Sequence, residues 1–112
     1  GKPVTDVMIK VDKGSVKYRV HVKNGEWLPY VKGYDQNNDK YGYAGNGRPI
    51  DAVEVYYFTP DGVRPYRFAK YRVSAVNGKY YPWQSDNSKE NGMDGYAGVM
   101  GVEIDKLQIK IE

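Results

Sequence analysis

The chain has 112 residues, a net charge of +3, no cysteine, one histidine, and an aromatic set of twelve Tyr, two Trp and two Phe. That length gives one domain or two small intertwined ones, and the missing cysteine excludes a thiol nucleophile, a Cys-ligated zinc and a disulfide framework. The mild basicity fits an anionic partner, no run of five or six basic residues occurs, and no apolar stretch approaches the length of a membrane span, so membrane insertion is not expected.

Taken in chain order, the apolar period is two, not 3.6. Val7, Ile9 and Val11 form a first alternating run, closed by the turn Asp12-Lys13-Gly14. Val16, Tyr18, Val20 and Val22 then alternate with Lys17, Arg19 and His21, which predicts a half-buried strand with His21 exposed. Asn24-Gly25 is a strong two-residue hairpin signal and leads into a short aromatic strand, EWLPYV. Pro29 cannot donate to a ladder, so that strand belongs at a sheet edge. A polar loop follows, then Gly-Tyr-Ala-Gly, then a strand with Val53, Val55 and Tyr57 inward. Pro60-Asp61-Gly62 turns the chain again, and the order repeats. Tyr71, Val73 and Ala75 alternate, Asn77-Gly78 turns, KYYPW carries Pro82, a second polar loop leads to Gly-Tyr-Ala-Gly, and Leu107, Ile109 and Ile111 close the chain. The turns at Asp12–Gly14 and Pro60–Gly62 predict antiparallel hairpins between the strands they join.

The order repeats because the sequence does. Residues 17–45 and 70–98 share 12 of 29 positions at an offset of 53, and GRPIDAVEVYY then falls on GVEIDKLQIKI at an offset of 54. Gly1-Lys2-Pro3-Val4 also matches Gly47-Arg48-Pro49-Ile50. The expected organisation is a single unit over 1–112. Residues 1–15 are the last strand of a preceding repeat plus a turn, residues 16–58 the first repeat and residues 64–112 the second. A unit of about 53 residues is marginal alone, so the copies should share a core. The expected fold is all-β, a compact pseudo-twofold antiparallel sandwich or barrel of about seven strands. Further modules are expected upstream in a longer protein.

Duplicated small modules suit binding, since two weak sites give avidity. The candidate ligand residues are Trp27, Tyr30, Tyr80, Tyr81 and Trp83, whose faces can stack on sugar rings. Alternation puts Trp27 toward the core and Tyr30 and Trp83 toward solvent. Tyr43 and Tyr96, in the Gly-Tyr-Ala-Gly segments, either line a pocket or plug the end of the fold with a hydroxyl bonded to backbone. Asp51 and Asp105 either accept hydrogen bonds from sugar hydroxyls or cap a turn. Asp35-x-Asn37-x-Asp39 and Asp86-x-Ser88-x-Glu90 begin like calcium loops, but neither has a Glu at the twelfth position, and no metal or cofactor is expected. No triad or zinc motif is present, and a carboxylate pair would have to be supplied by the repeat itself.

Tyr-Arg-Val-His, Gly-x-Trp-Leu-Pro, Gly-Tyr-Ala-Gly and Ile-Asp-x-Val, in that order, resemble the tandem C-terminal repeats of wall-lytic enzymes from clostridia and related Gram-positive bacteria and their phages. The resemblance spans essentially the whole chain. It implies a non-catalytic module that tethers an upstream catalytic domain to peptidoglycan glycan or a wall-attached carbohydrate. It also implies a place outside the cell, at the wall, reached by secretion or phage lysis. The second copy departs from the pattern, with Ser74 for His21, Tyr80 for Trp27 and Tyr81 for Leu28, so the two sites need not be equivalent. A small nucleic-acid binder, a small glycosidase and an assembly domain working through its edge strands are the competing readings. The acids scattered through the same loops count against nucleic acid.

Overall fold

The alternating segments become the long strands of the protein. The computed structural model describes residues 1–112 and is all-β, without a helix. Its eight strands are β1 (Asp6–Val7), β2 (Ser15–Val22), β3 (Ala44–Gly45), β4 (Ile50–Phe58), β5 (Ala69–Ala75), β6 (Gln84–Ser85), β7 (Ala97–Gly98) and β8 (Ile104–Ile111). The count exceeds the expected seven because β3 and β7 are two-residue pairings that carry no sequence signal, while the first aromatic segment, EWLPYV, makes isolated bridges and no strand. The strands form three antiparallel sheets, β1-β3, β2-β4-β7 and β6-β5-β8. These stay separate, so the barrel alternative is not realised.

Most of the inward residues read from alternation are the core, while Val11, Ala75, Leu107, Ile109 and Ile111 are only partly buried. Val16, Tyr18 and Val20 face Tyr57, Val55 and Val53 across the β2–β4 ladder. Tyr71 and Val73 face Ile109 and Leu107 across β5–β8. One cluster of 16 buried side chains draws on all three sheets, so the halves share a single interior. Tyr18 and Tyr71 are its largest fully buried members, and each hydroxyl finds a carbonyl, Gly33 O at 2.6 Å and Asp86 O respectively. Burial raises the pKa of both phenols above the ordinary tyrosine value.

Two sequence expectations need correction. The turns at 12–14 and 60–62 do not make hairpins, because β1 pairs with β3, and β4 pairs with β2 and β7 rather than β5. A strand has only two edges, and β2 and β7 take both edges of β4. The Asn-Gly turns do form, but Asn24 and Asn77 take the left-handed conformation, at φ 59° and 57°, and the glycines do not. The turn bonds are Gly25 N–H to Val22 O and Gly78 N–H to Ala75 O, both 2.8 Å. The loops are thus three residues long, with ladder irregularities at His21/Val22 and Ser74/Ala75.

The Gly-Tyr-Ala-Gly segments have a structural task. Asp6 and Val7 pair with Gly45 and Ala44, and Ala52 and Val53 pair with Gly98 and Ala97. Each Ala-Gly lies against the strand of the preceding repeat copy. Glycine is needed there. Gly45 and Gly98 have φ of 136° and 118°, and a Cβ would collide with the carbonyl oxygens of Thr5 and Asp51.

Candidate functional site

The outer faces of the two three-stranded sheets each carry an arginine held between aromatic rings. On β2, Arg19 alternates outward, and its guanidinium lies 4.5 Å from the centre of Trp27 and 4.6 Å from that of Tyr30. On β5, Arg72 lies 4.4 Å from Tyr80 and 4.5 Å from Trp83. The four rings come from the edge segments after the Asn-Gly turns. There the ladder is reduced to single bridges, His21 with Trp27, Tyr18 with Val31 and Ser74 with Tyr80.

The expected division of faces was therefore wrong for Trp27. Trp27 and Tyr30, three residues apart, share the outer face, while Leu28 packs on the core and Val31 lies in it. Strict alternation requires a continuous ladder, and the stretch through Pro29 does not keep one. In the second copy Tyr81, a ligand candidate, packs against the core, and Tyr80 and Trp83 share the outer face.

The first cluster is the more closely bonded. Arg19 Nη2 donates to Glu54 Oε2 at 3.0 Å, and the Tyr30 hydroxyl donates to the other oxygen of the same carboxylate. Lys17 Nζ lies 4.5 Å from the Tyr30 ring centre and 5.4 Å from that of Tyr56. Trp27 meets His21 edge-on at 5.3 Å and Tyr96 at 5.6 Å. His21 is half-buried rather than exposed, because its Nδ1 lies 2.7 Å from Asp51 Oδ1. Asp51 is fully buried, and its Oδ2 accepts Gly101 N–H at 2.7 Å.

The second cluster is sparser. Arg72 Nε donates to the neutral Gln108 Oε1 at 2.8 Å, and Lys110 Nζ lies 4.6 Å from the Trp83 centre. Asp105 accepts from Ser74 Oγ at 2.9 Å and Asn77 N–H at 3.0 Å. The Asn77 N–H first, and the Ser74 hydroxyl second, hold its carboxyl below the usual range.

Of the nine candidates, Trp27, Tyr30, Tyr96 and Asp51 gather in the first cluster, and Tyr80, Trp83 and Asp105 in or beside the second. Tyr43 stands apart, beside Asp6, Met8 and Gln36. Neither Tyr43 nor Tyr96 bonds backbone through its hydroxyl; Tyr18 and Tyr71 fill that role. The arginines, Lys17, Glu54 and Lys110 were missed as site residues. Their signal was available, since Arg keeps its place in both Tyr-Arg-Val copies and alternates outward beside the aromatic segments. Asp86, which opens the second calcium-like pattern, has a structural task that the sequence did not show. It is buried, and its Oδ1 accepts Ala69 N–H at 2.8 Å and Tyr57 N–H at 3.2 Å. Burial raises its carboxyl above the ordinary range.

Chemically, each cluster is a cation-backed aromatic ladder. Each of the four rings lies against an arginine, and Tyr30 and Trp83 each have a lysine over the ring as well. No family model, curated protein or solved structure matches the chain.

Proposed function

We propose that the chain is a non-catalytic cell-wall-binding module with two related sites, one on Arg19, Trp27 and Tyr30 and one on Arg72, Tyr80 and Trp83. The observation that carries this reading is the pair of arginine-centred aromatic clusters at aligned positions of two sheets. The ligand is peptidoglycan glycan or a wall-attached carbohydrate, as the resemblance to wall-lytic repeats implies. In the parent protein the module holds an upstream hydrolase at the wall from outside the cell.

Stacking suits the ligand. The rings are half-buried rather than enclosed in the core, and the C–H face of a pyranose packs on exposed aromatic surface. Three groups with acid–base chemistry beside the first cluster are bonded within the fold. His21 and Asp51 bond each other, Asp51 bonds Gly101, and Glu54 bonds Arg19 and Tyr30. Two sites on one chain act by avidity on a polymeric ligand.

The experiment is co-sedimentation of the protein with purified Gram-positive sacculi, before and after teichoic acid extraction, across a salt series. Binding to both preparations is expected, with little loss at moderate salt and no fall in the turbidity of the wall suspension. Turbidity loss would reveal hydrolysis, and absence of co-sedimentation would remove the proposal. The second reading, a nucleic-acid binder, is favoured by Arg72, which stacks on two rings without a carboxylate partner. It predicts retention on DNA–cellulose and a log-linear fall of affinity with salt.

A further inference from the structure

Equivalent positions of the repeat meet as three, not two. Val4, Ile50 and Ile104 occupy one position in three copies of the Gly-x-x-(Val/Ile) segment. Ile50 N–H donates to Val4 O at 3.0 Å, and Val4 N–H donates to Ile104 O at 2.8 Å. The last copy thus closes back on the first through backbone. Gly101 and Gly1 repeat the pattern. Gly101 N donates to Asp51 Oδ2 at 2.7 Å, and Gly1 N lies 3.5 Å from Asp105 Oδ2, the aligned carboxylate. The same hand-over runs from copy to copy around an axis with three stations.

One station is complete and the other two each lack one neighbour. β4 has β2 on one edge and the Ala-Gly of β7 on the other. β8, its counterpart, has β5 on one edge and nothing on the other. Residues 4–11, the remaining counterpart, have β3 but no strand equivalent to β2. Lys23 and Val76 N–H bond Pro49 O and Glu103 O, both at 3.0 Å, whereas Pro3 O, the third such carbonyl, accepts no backbone bond. Burial follows suit: Val53 and Val55 are fully buried, while Leu107 and Ile109 stay half-exposed. The empty edges face each other across a cleft of about 560 Å³ with Ile9 and Val11 on one side and Ile109 and Ile111 on the other, and with Lys10, Asp12, Lys13, Arg67 and Lys110 also in its lining. It continues past Met8 and Leu107.

We propose that this cleft is the seat of a third unit of the same repeat, joined ahead of Gly1, so that three units close a ring about a pseudo-threefold axis. Its Tyr-Arg-Val strand pairs with residues 4–11 and its Ala-Gly pairs with Lys106 and Leu107, as Gly98 and Ala97 pair with Ala52 and Val53. Its tyrosine then comes to Tyr80 as Tyr96 comes to Trp27, completing the second cluster. The relation between the long copies becomes a third of a turn, not the half-turn their number suggests. The inference stands on backbone pairing and is independent of wall binding.

The test joins a copy of residues 12–46 ahead of Gly1, which recreates the natural Asn46-Gly47 junction as Asn-Gly. Amide hydrogen exchange and thermal melting of this fusion are compared with the 112-residue protein and with a fusion of the same segment in scrambled order. Exchange at Leu107 and Ile109 should slow at least about tenfold, with a higher melting midpoint and a monomer in solution. The scrambled segment should do neither. Unchanged exchange at β8, or slowing only through dimer formation, would overturn the proposal. Leu107→Glu provides the second arm. It should be tolerated by the 112-residue protein and should abolish the gain in the fusion; equal tolerance in both would also overturn it.

Discussion

The two arginine clusters are built from aligned residues and differ in what surrounds them. Arg19 is paired with a carboxylate, Glu54, that is 6% exposed and also takes the Tyr30 hydroxyl. Arg72 has a neutral, exposed glutamine instead. Trp27 is flanked by His21 and by Tyr96 of the other copy, and Tyr80 makes no such ring contact. The first cluster is therefore a fixed part of the fold, and the second is an open one. The difference lies less in the four ring positions than in the neighbour: β4 is lined by the Ala-Gly of the other copy and β8 by none.

The largest expected effect breaks the first cluster at its acid. Glu54→Ala leaves Arg19 half-buried beside an empty site and strands the Tyr30 hydroxyl. Removing one partner of a buried pair costs about 3–5 kcal/mol, and the partial exposure of Arg19 brings the expectation to roughly 2–3 kcal/mol. Gln108→Ala should cost under about 0.5 kcal/mol. Urea denaturation midpoints decide this, and equal losses would erase the distinction between the clusters.

Next come the first rings of each cluster. Trp27→Ala should destabilise by roughly 2 kcal/mol, less than the ~3–5 of a fully buried aromatic. Tyr80→Ala should cost about half as much. A larger loss at Tyr80 would mean that the contacts of Trp27 with His21 and Tyr96 contribute nothing.

Binding separates the clusters in the opposite sense. Trp83→Ala should weaken wall binding by roughly 1–2 kcal/mol, by analogy with the loss of a stacking aromatic in single-strand recognition, and should leave the melting midpoint nearly unchanged. Tyr30→Ala should weaken binding and also lower stability, because its hydroxyl holds Glu54. The double variant should lose more than either single one in co-sedimentation. Full retention of binding in the double variant would move the site off these rings.

The smallest effect is on pH dependence. The carboxyl of Asp105 is held low by folding, so its contribution is present above the ordinary carboxylate pKa and fades as pH falls through that value to the lower folded one. Asp86 has the opposite sign, because burial raises its folded pKa. Its ionised form is disfavoured by folding, so its contribution improves on acidification. Asp105→Asn should flatten the acid limb of stability against pH, and Asp86→Asn should steepen it. Identical profiles for both variants would contradict the assignment.

The long strands and most of their inward residues were legible because alternation holds where a ladder is continuous, as along Val16–Val20 and Ala69–Val73, and it fails at Ser74, which is buried where the ladder shifts. Alternation misassigned Trp27 because the edge segment through Pro29 has lost its ladder. The pairing of β3 and β7 with earlier strands was invisible, since two residues carry no period and their partners lie far away in sequence. The backbone-bonding task of Asp86 was not legible, because an acidic loop pattern does not tell a metal ligand from a carboxylate bonding backbone. The arginine-centred sites were within reach, as the repeated Tyr-Arg-Val placed Arg19 and Arg72 outward beside the aromatics.

The buried Asp86 also fastens a loop at its base. Its Oδ1 ties Tyr57 N–H to Ala69 N–H, and Phe68 and Glu112 exchange backbone bonds of 2.7 and 2.9 Å beside it. Between these anchors residues 59–67 leave the body and return, with Tyr66 61% exposed at the outer part. Extra residues at Asp61-Gly62 would lengthen a circuit whose ends are already joined. Each doubling of such a loop costs only about 0.6 kcal/mol of closure entropy. The outer end of this loop is the place to insert a fluorophore-labelling sequence or an affinity tag without disturbing either aromatic cluster.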